Sequence, residues 1–344
     1  MRQLVSNGLP VIVLLVGCGL TSAADSSTTL ARIRATGVLR CGIDAEEAEY
    51  STSDNHGNRA AFDADLCRAV AVAVLGKNEQ VAAKQYPDDT AAVAALTDGD
   101  VDLLPTLTDD FTHAAGTHLA FTRPVLWDSV GFLVPAANPV TRARQLSGKR
   151  ICFLAETTVE ESVRAWFTHE HLDFVPFPFQ EEGEMQAAFA TDNCGALAGN
   201  RTHLAETRAA LAQHGKRTRL LHETISKDPL AAAVRDNDPA WFSIVNLVME
   251  ALVAAEESGI TQANVRTRCT QTNDPLVRFL LGGSHQIGSA LGLDNDWVVN
   301  VIETAGNYGE IYERDLGSGS PLKLPRDDNN LYSHGGAMRA LPPK

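Results

Sequence analysis

A chain of 344 residues, 44% hydrophobic and 21% charged, has material for two globular lobes with a sizeable core in each. Its formal net charge of -14 argues against a nucleic-acid or anionic-membrane partner, since both require a basic face. The charge places no restriction on a small ligand.

The first residues differ in character from the rest. Arg2 precedes the apolar run Val11-Ile12-Val13-Leu14-Leu15-Val16, and small residues follow down to Ala23-Ala24. That run is too short to span a bilayer and reads as an export signal over residues 1–24. Two processing routes are open. One cuts after Ala23 or Ala24; the other reads Leu15-Val16-Gly17-Cys18 as a lipobox and places a lipid on Cys18.

Beyond the signal, residues 29–37 read as a short helix stopped by Gly37, and residues 38–43 as a first strand. A polar loop follows, with Tyr50 its one large side chain. Residues 62–76 set Leu66, Val70 and Ala73 on one helical face. Strand 81–86, helix 88–96 and a buried-looking strand 100–104 complete an α/β lobe with a mostly parallel sheet. The run Val130-Gly131-Phe132-Leu133-Val134-Pro135 then reads as a strand closed by proline. A second such run is Pro229-Leu230-Ala231-Ala232-Ala233-Val234-Arg235. Between them the theme repeats, with strands at 150–154, 174–177 and 194–198 and helices at 159–169 and 182–190. A strong amphipathic helix spans 241–256, and the remainder is helical or irregular. Two runs enclosing an α/β segment describe two lobes on a double hinge. The expected division is lobe 1 at 25–132 plus 233–344, and lobe 2 at 133–232.

Export puts Cys41, Cys67, Cys152, Cys194 and Cys269 in an oxidising compartment. The simplest pairing keeps each bond within a lobe, Cys41–Cys67 and Cys152–Cys194, and leaves Cys269 as the odd thiol. The competing reading is five buried free cysteines. No CxxC occurs, so neither a redox dithiol nor a zinc ribbon is indicated. His169-Glu170-His171 is not HExxH, because histidines two apart point to different helix faces. No GxSxG, P-loop or usable GxGxxG appears. The chain reads as a binding protein with no cofactor and no metal, rather than an enzyme.

The order of several short motifs carries a resemblance. They are Leu39-Arg40-Cys41-Gly42, Phe62-Asp63-Ala64-Asp65-Leu66-Cys67-Arg68-Ala69, Ile225-Ser226-Lys227-Asp228-Pro229-Leu230, Asp238-Pro239-Ala240-Trp241-Phe242, Gly292-Leu293-Asp294-Asn295-Asp296-Trp297 and Gly306-Asn307-Tyr308-Gly309-Glu310-Ile311. In that order the chain resembles the periplasmic general L-amino-acid-binding proteins of ABC importers, over nearly its whole length after the signal. The resemblance implies a type II periplasmic binding protein fold: two α/β lobes joined by two hinge crossings, with a C-terminal helical extension. It also places cysteines at the four paired positions. It implies a monomer in the periplasm that closes on a small polar ligand, an amino acid, and hands it to an inner-membrane ABC permease.

Recognition of a free amino acid needs a cation or helix N-terminus for its carboxylate and an anion for its ammonium. The family places an arginine in a Thr-rich loop after the third strand. Here that loop is Pro105-Thr106-Leu107-Thr108-Asp109-Asp110-Phe111-Thr112-His113, and His113 falls at or beside the arginine position. The family's aspartate after the strand that follows its last cysteine is replaced by Asn200. Thr157 and Thr158 remain at a helix start, preceded by Glu156 where the family carries glycine. The implied ligand-binding set is Tyr50, Thr106, Thr108, His113, Thr157, Thr158 and Asn200. Weak or altered amino-acid binding, or another polar ligand, is the expectation. The alternatives are a receptor or sensor with a non-amino-acid ligand, and a dehydratase-like enzyme using Glu156.

Overall fold

A computed structural model describes residues 28–44, 52–53, 59–60, 62–76, 79–86, 88–283 and 287–342. The export segment, Cys18 and Tyr50 lie outside the described residues.

Local signals start and stop the first elements. Helix α1 (Thr29–Thr36) is capped by the Thr28 hydroxyl and ends at Gly37, whose φ of 71° is left-handed. Strand β1 (Leu39–Asp44) follows, then the minimal antiparallel pair β2 (Thr52–Ser53) and β3 (Arg59–Ala60). Helix α2 (Phe62–Leu75) is apolar nearly all round and is buried accordingly. Next come β4 (Val81–Tyr86), α3 (Asp89–Asp98), β5 (Leu104–Thr108), α4 (Phe111–Gly116), β6 (Leu119–Trp127) and β7 (Val130–Pro135). The middle of the chain holds β8 (Arg150–Leu154), α5 (Thr158–His169), β9 (Val175–Phe179), α6 (Glu182–Ala190), β10 (Ala196–Asn200), α7 (Arg201–Gln213) and β11 (Thr218–Leu220). After β12 (Pro229–Arg235) the chain is helical: α8 (Pro239–Glu257), α9 (Val265–Gln271), α10 (Pro275–Leu280), α11 (Ile287–Ala290), α12 (Trp297–Ala305) and α13 (Tyr308–Asp315).

Pairing divides these strands into two lobes. In lobe 1, β1 and β4 are parallel, a parallel bridge joins Cys41 to Leu103, and β12 lies antiparallel between β5 and β6. In lobe 2 the order is β11-β7-β10-β8-β9, with β8, β9 and β10 parallel and β7 antiparallel to β10. Helices α2, α8, α12 and α13 form the larger core of lobe 1, around Phe62, Trp241, Tyr308 and Tyr312. Phe132, Phe153, Val163 and Phe167 centre the principal core of lobe 2.

Three differences from the sequence reading have physical causes. The third strand begins at Leu104, not at 100, and so contains Thr106 and Thr108 rather than leading into them. Asp102, instead of sitting in a ladder, is a buried anchor: its carboxylate accepts from Arg40 N at 2.9 Å and Arg40 Nη2 at 2.7 Å, and also meets Arg32. Pro105 lacks an N–H, and the β5–β12 ladder shifts register opposite it, between Ala231 and Ala233. The change of sheet also comes earlier than the expected boundaries. All of β7 belongs to the second sheet and all of β12 to the first, so the chain crosses at Asp128-Ser129 and again just before Pro229. Finally, β6, α7 and β11 are elements that the sequence pattern does not mark; α7 meets the cores through Leu204, Ala205, Ala209 and Leu211.

Both expected disulfides are present, with Cα–Cα separations of 6.4 Å for Cys41–Cys67 and 5.8 Å for Cys152–Cys194, and Cys269 is free and exposed. The bonds span 26 and 42 residues. Loops of that size restrict the unfolded chain by roughly 3–4 kcal/mol each in the chain-entropy account. Replacing Cys41 and Cys67 by serine is therefore expected to lower the unfolding free energy by about 3–4 kcal/mol, and with it the urea midpoint, without changing ligand selectivity. Urea unfolding followed by circular dichroism measures it, and an unchanged midpoint would refute the assignment of a stabilising role.

Candidate functional site

In open α/β sheets, ligands bind beyond the carboxyl ends of the parallel strands. Strand register brings those ends together here. Thr108, the last residue of β5, pairs with Leu230, and Leu230 pairs with Leu126 near the end of β6. Two residues later β7 begins at Val130, which pairs with Asn200, the last residue of β10. The ends of β5 and β10 thus meet at the crossing strands, and β8 and β9 run parallel to β10 toward the same edge of the second sheet.

The crossing is tightly bonded. Asp128 N donates to Asp228 O at 3.0 Å, Val130 N to Ser226 Oγ at 2.7 Å, and Ser226 Oγ to Asp228 Oδ2 at 2.5 Å. Asp128, only 3% exposed, reaches from the crossing into lobe 2. Its Oδ1 accepts from Thr202 N at 3.2 Å and its Oδ2 from the Thr202 hydroxyl. It therefore caps the positive end of α7 in place of Asn200, which makes no side-chain capping bond. Burial pushes the Asp128 carboxyl up to about 6, against the lowering effect of the Thr202 bonds. Burial likewise raises Asp228.

The expected ligand residues that lie among the described ones are divided between the two lobes. In lobe 1, the Thr106 hydroxyl donates to buried Asp63 Oδ1 at 2.7 Å, and Thr108 is half-buried at the strand end. His113 lies on α4, where its N–H donates to Asp110 Oδ1 at 2.8 Å and its Nδ1 stands 3.2 Å from the same oxygen. Whatever positive charge His113 carries is already matched by Asp110. Burial and the Asp110 charge raise Asp109 beside it. Phe111 opens the same helix and is 96% exposed.

In lobe 2 the two threonines separate in role. Thr157 is the N-cap of α5: its hydroxyl accepts from Glu160 N at 3.3 Å and donates to Leu154 O at 2.8 Å. Thr158, the first helical residue, is exposed. Glu156 is exposed with a left-handed φ of 61°, the conformation in which glycine is unstrained. Its N–H donates to Glu160 Oε2 at 2.9 Å. That bond, followed by Arg164, holds the Glu160 carboxyl below its usual range. The positive end of α5 is thus partly compensated from within. Asn200 is half-buried at the start of α7 with its carboxamide not engaged in capping. The arginine beside it is committed elsewhere, since Arg201 donates to Leu221 O at 2.9 Å and to Asp327 Oδ2 at 2.8 Å. Among the described residues no group of three or more His, Cys, Asp or Glu side chains is gathered for a metal ion.

Sequence reasoning passed over Asp63, Asp128 and Thr202. An acid between two apolar strand runs, as in Trp127-Asp128-Ser129-Val130, was the available signal for Asp128.

No family model matches the chain. Over 347 aligned residues it is 39% identical to the general L-amino acid-binding periplasmic protein AapJ of Rhizobium johnstonii, covering 99% of both chains. The chain belongs to the periplasmic amino-acid-binding proteins of ABC transporters. Within that family it is also 35% identical, over 94% of this chain and 95% of the relative, to the glutamate/glutamine/aspartate/asparagine-binding protein BztA of Rhodobacter capsulatus. Among solved structures, a periplasmic binding protein of an ABC transporter from Brucella ovis with glutathione bound superimposes with a TM-score of 0.80. It is 35% identical, and the match covers 92% of this chain and 100% of that one. The two-lobed fold and the order of the sequence motifs are therefore those of the family.

The hinge carboxyl gives a pH test. A folded-state value near 6 lies above the ordinary 3.8, so the fold favours the protonated form. That contribution is complete below about pH 4 and is lost as pH rises through 6. Asp128→Asn, which retains an acceptor for Thr202, is expected to remove this loss, worth roughly 2–3 kcal/mol at neutral pH. Thermal melts of both proteins from pH 4 to 8 read it. Parallel wild-type and variant curves would show that Asp128 does not titrate in this window.

Proposed function

We propose that the protein is the extracytoplasmic solute-binding component of an ABC importer, closing its lobes on a small amino-acid or peptide-like solute and presenting it to a membrane permease. It works in the periplasm, and binding rather than turnover is its task. The observation that carries this reading is the meeting of the ends of β5 and β10 at one double crossing in a chain homologous over its length to amino-acid-binding proteins. The relatives named for amino acids and the Brucella protein holding glutathione support a ligand with both carboxylate and ammonium groups.

The ligand sits between Thr106, Thr108 and His113 on lobe 1 and Thr158 and Asn200 on lobe 2, with Tyr50 as a further wall. Thr158 Oγ and the N–H groups of the first turn of α5 take an anionic group, and Asn200 accepts from an ammonium. Neither contact is an ion pair. Each therefore holds its partner more weakly than a charge-assisted bond would, by about 1 kcal/mol.

The test restores the charges. Wild type is expected to show dose-dependent thermal shifts with several L-amino acids or glutathione, because a ligand of the folded state raises its melting temperature. His113→Arg with Asn200→Asp is expected to bind zwitterionic amino acids at least about tenfold more tightly in calorimetry, from about 1 kcal/mol regained at each end. No response of wild type to any of these solutes would overturn the ligand class. Unimproved binding by the double variant would instead place the ligand's charged groups at other residues.

A further inference from the structure

A cavity of about 270 Å3 lies away from the cleft, inside lobe 1, between β6, α8, α13 and the C-terminal segment. Leu66, Val125, Met249, Leu252, Val253 and Met338 form its apolar wall, and each is more than nine-tenths buried. Exposed Arg123, Ala337 and Arg339 border its mouth. A dry cavity of about 150 Å3 lined this way accepts benzene, so there is room here for a leucine- or phenylalanine-sized side chain.

The polar groups of this cavity have a definite pattern. Glu250 lines it and is 7% exposed. Its Oε2 accepts from Leu341 N at 2.6 Å. Its Oε1 is buried, stands 3.2 Å from Arg123 Nε, and accepts no hydrogen bond of good geometry. A buried carboxylate oxygen in that condition is complementary to a cationic donor. Burial raises the Glu250 carboxyl, the direction a bound cation would oppose. Arg123 is 48% exposed and reaches Arg339 O only at 3.5 Å, so its guanidinium retains donors for an anion. Arg339 adds a second positive charge at the mouth. Carboxylate inside, guanidinium groups at the rim and an apolar interior are the complement of a zwitterion with an apolar side chain.

We propose that this cavity is a second ligand site, separate from the inter-lobe cleft, that takes an apolar α-amino acid with its ammonium on Glu250, its carboxylate on Arg123 and Arg339, and its side chain among Met249, Leu252 and Met338. The site does not depend on what the cleft binds. Its occupant lies under residues 337–339, which are held to the body of lobe 1 by the bonds from Tyr332 N to Met338 O and from Met338 N to Asn330 O.

The methionines provide the test. The sequence has four, Met1, Met185, Met249 and Met338. Met249 and Met338 line the cavity, whereas Met185 is buried in lobe 2. Protein labelled with [13C-methyl]methionine is titrated with L-leucine and with L-phenylalanine. Saturable shifts of the Met249 and Met338 methyl signals are expected, at least about tenfold weaker in Glu250→Gln and in Arg123→Ala. Silence of both signals through millimolar ligand, or movement of Met185 alone, overturns the second site. Shifts that persist unchanged in both variants overturn the zwitterion assignment. Glu250→Gln preserves shape and Arg123 is half exposed, and the unliganded spectrum of each variant shows directly that it is folded. Failure in the cleft would leave these two methyl signals unaffected, so the two ligand readings stand or fall apart.

Discussion

Trp127 and Asp128 are where the two crossings, the start of α7 and the tail of the chain are joined. The backbone N–H of Asp128 pairs with the returning crossing at Asp228, and its carboxylate oxygens cap α7 through Thr202. One residue earlier, the backbone N and O of Trp127 are both bonded by the Asn329 side chain, at 2.7 and 2.9 Å. Desolvating a carboxylate is expensive unless donors surround it, and here the donors belong to the elements that must keep their relative positions. Together with the bond from Arg201 N to Ser129 O at 3.1 Å and the pairing of Asn200 with Val130, this group fixes the start of α7.

That arrangement explains how Asn200 can be a ligand residue at all. An asparagine at a helix start ordinarily caps the helix, and its carboxamide would then face its own backbone. With Asp128 doing the capping, the carboxamide takes no part in the cap. The opposite holds for Thr157, whose hydroxyl accepts from Glu160 N in α5 and donates to Leu154 O at the end of β8. His113 is restrained by Asp110 in the same way. The cleft thus offers hydroxyls, an amide and helix N–H groups rather than paired full charges, a surface that reads polarity and shape more than charge sign.

Much of this was legible from residue order. Apolar runs and helical patterns in residues 150–199 were enough to place β8, α5, β9 and α6, most clearly α5, which buries Val163 and Phe167 on one face and is capped by Thr157. The disulfides followed from where cysteines fall relative to the two apolar runs. What stayed hidden was the long-range pairing. No local pattern shows that Trp127 will meet Asn329, or that Asp128 will cap a helix some seventy residues away. The helix α7 was obscured because its buried face includes Arg201, Glu206 and Thr207, polar residues whose burial depends on partners elsewhere in the chain. The resemblance puts Thr106 in a Thr-rich loop after the third strand, whereas it lies within β5, whose ladder with β12 shifts register opposite Pro105.

Lobe 1 is assembled from both ends of the chain, its core running from Ile33 to Met338, while lobe 2 is continuous between the crossings. For a chain that appears in order from its N-terminus, lobe 2 has all of its strands once Leu220 has emerged. Lobe 1 has had Phe62, Leu66 and Val70 waiting since much earlier, without the helices that cover them. Its apolar surface stays uncovered until residues 239–338 arrive, and contacts of such sequence separation form slowly. The first domain to begin is the last to finish, and that interval is when the protein most needs protection from aggregation.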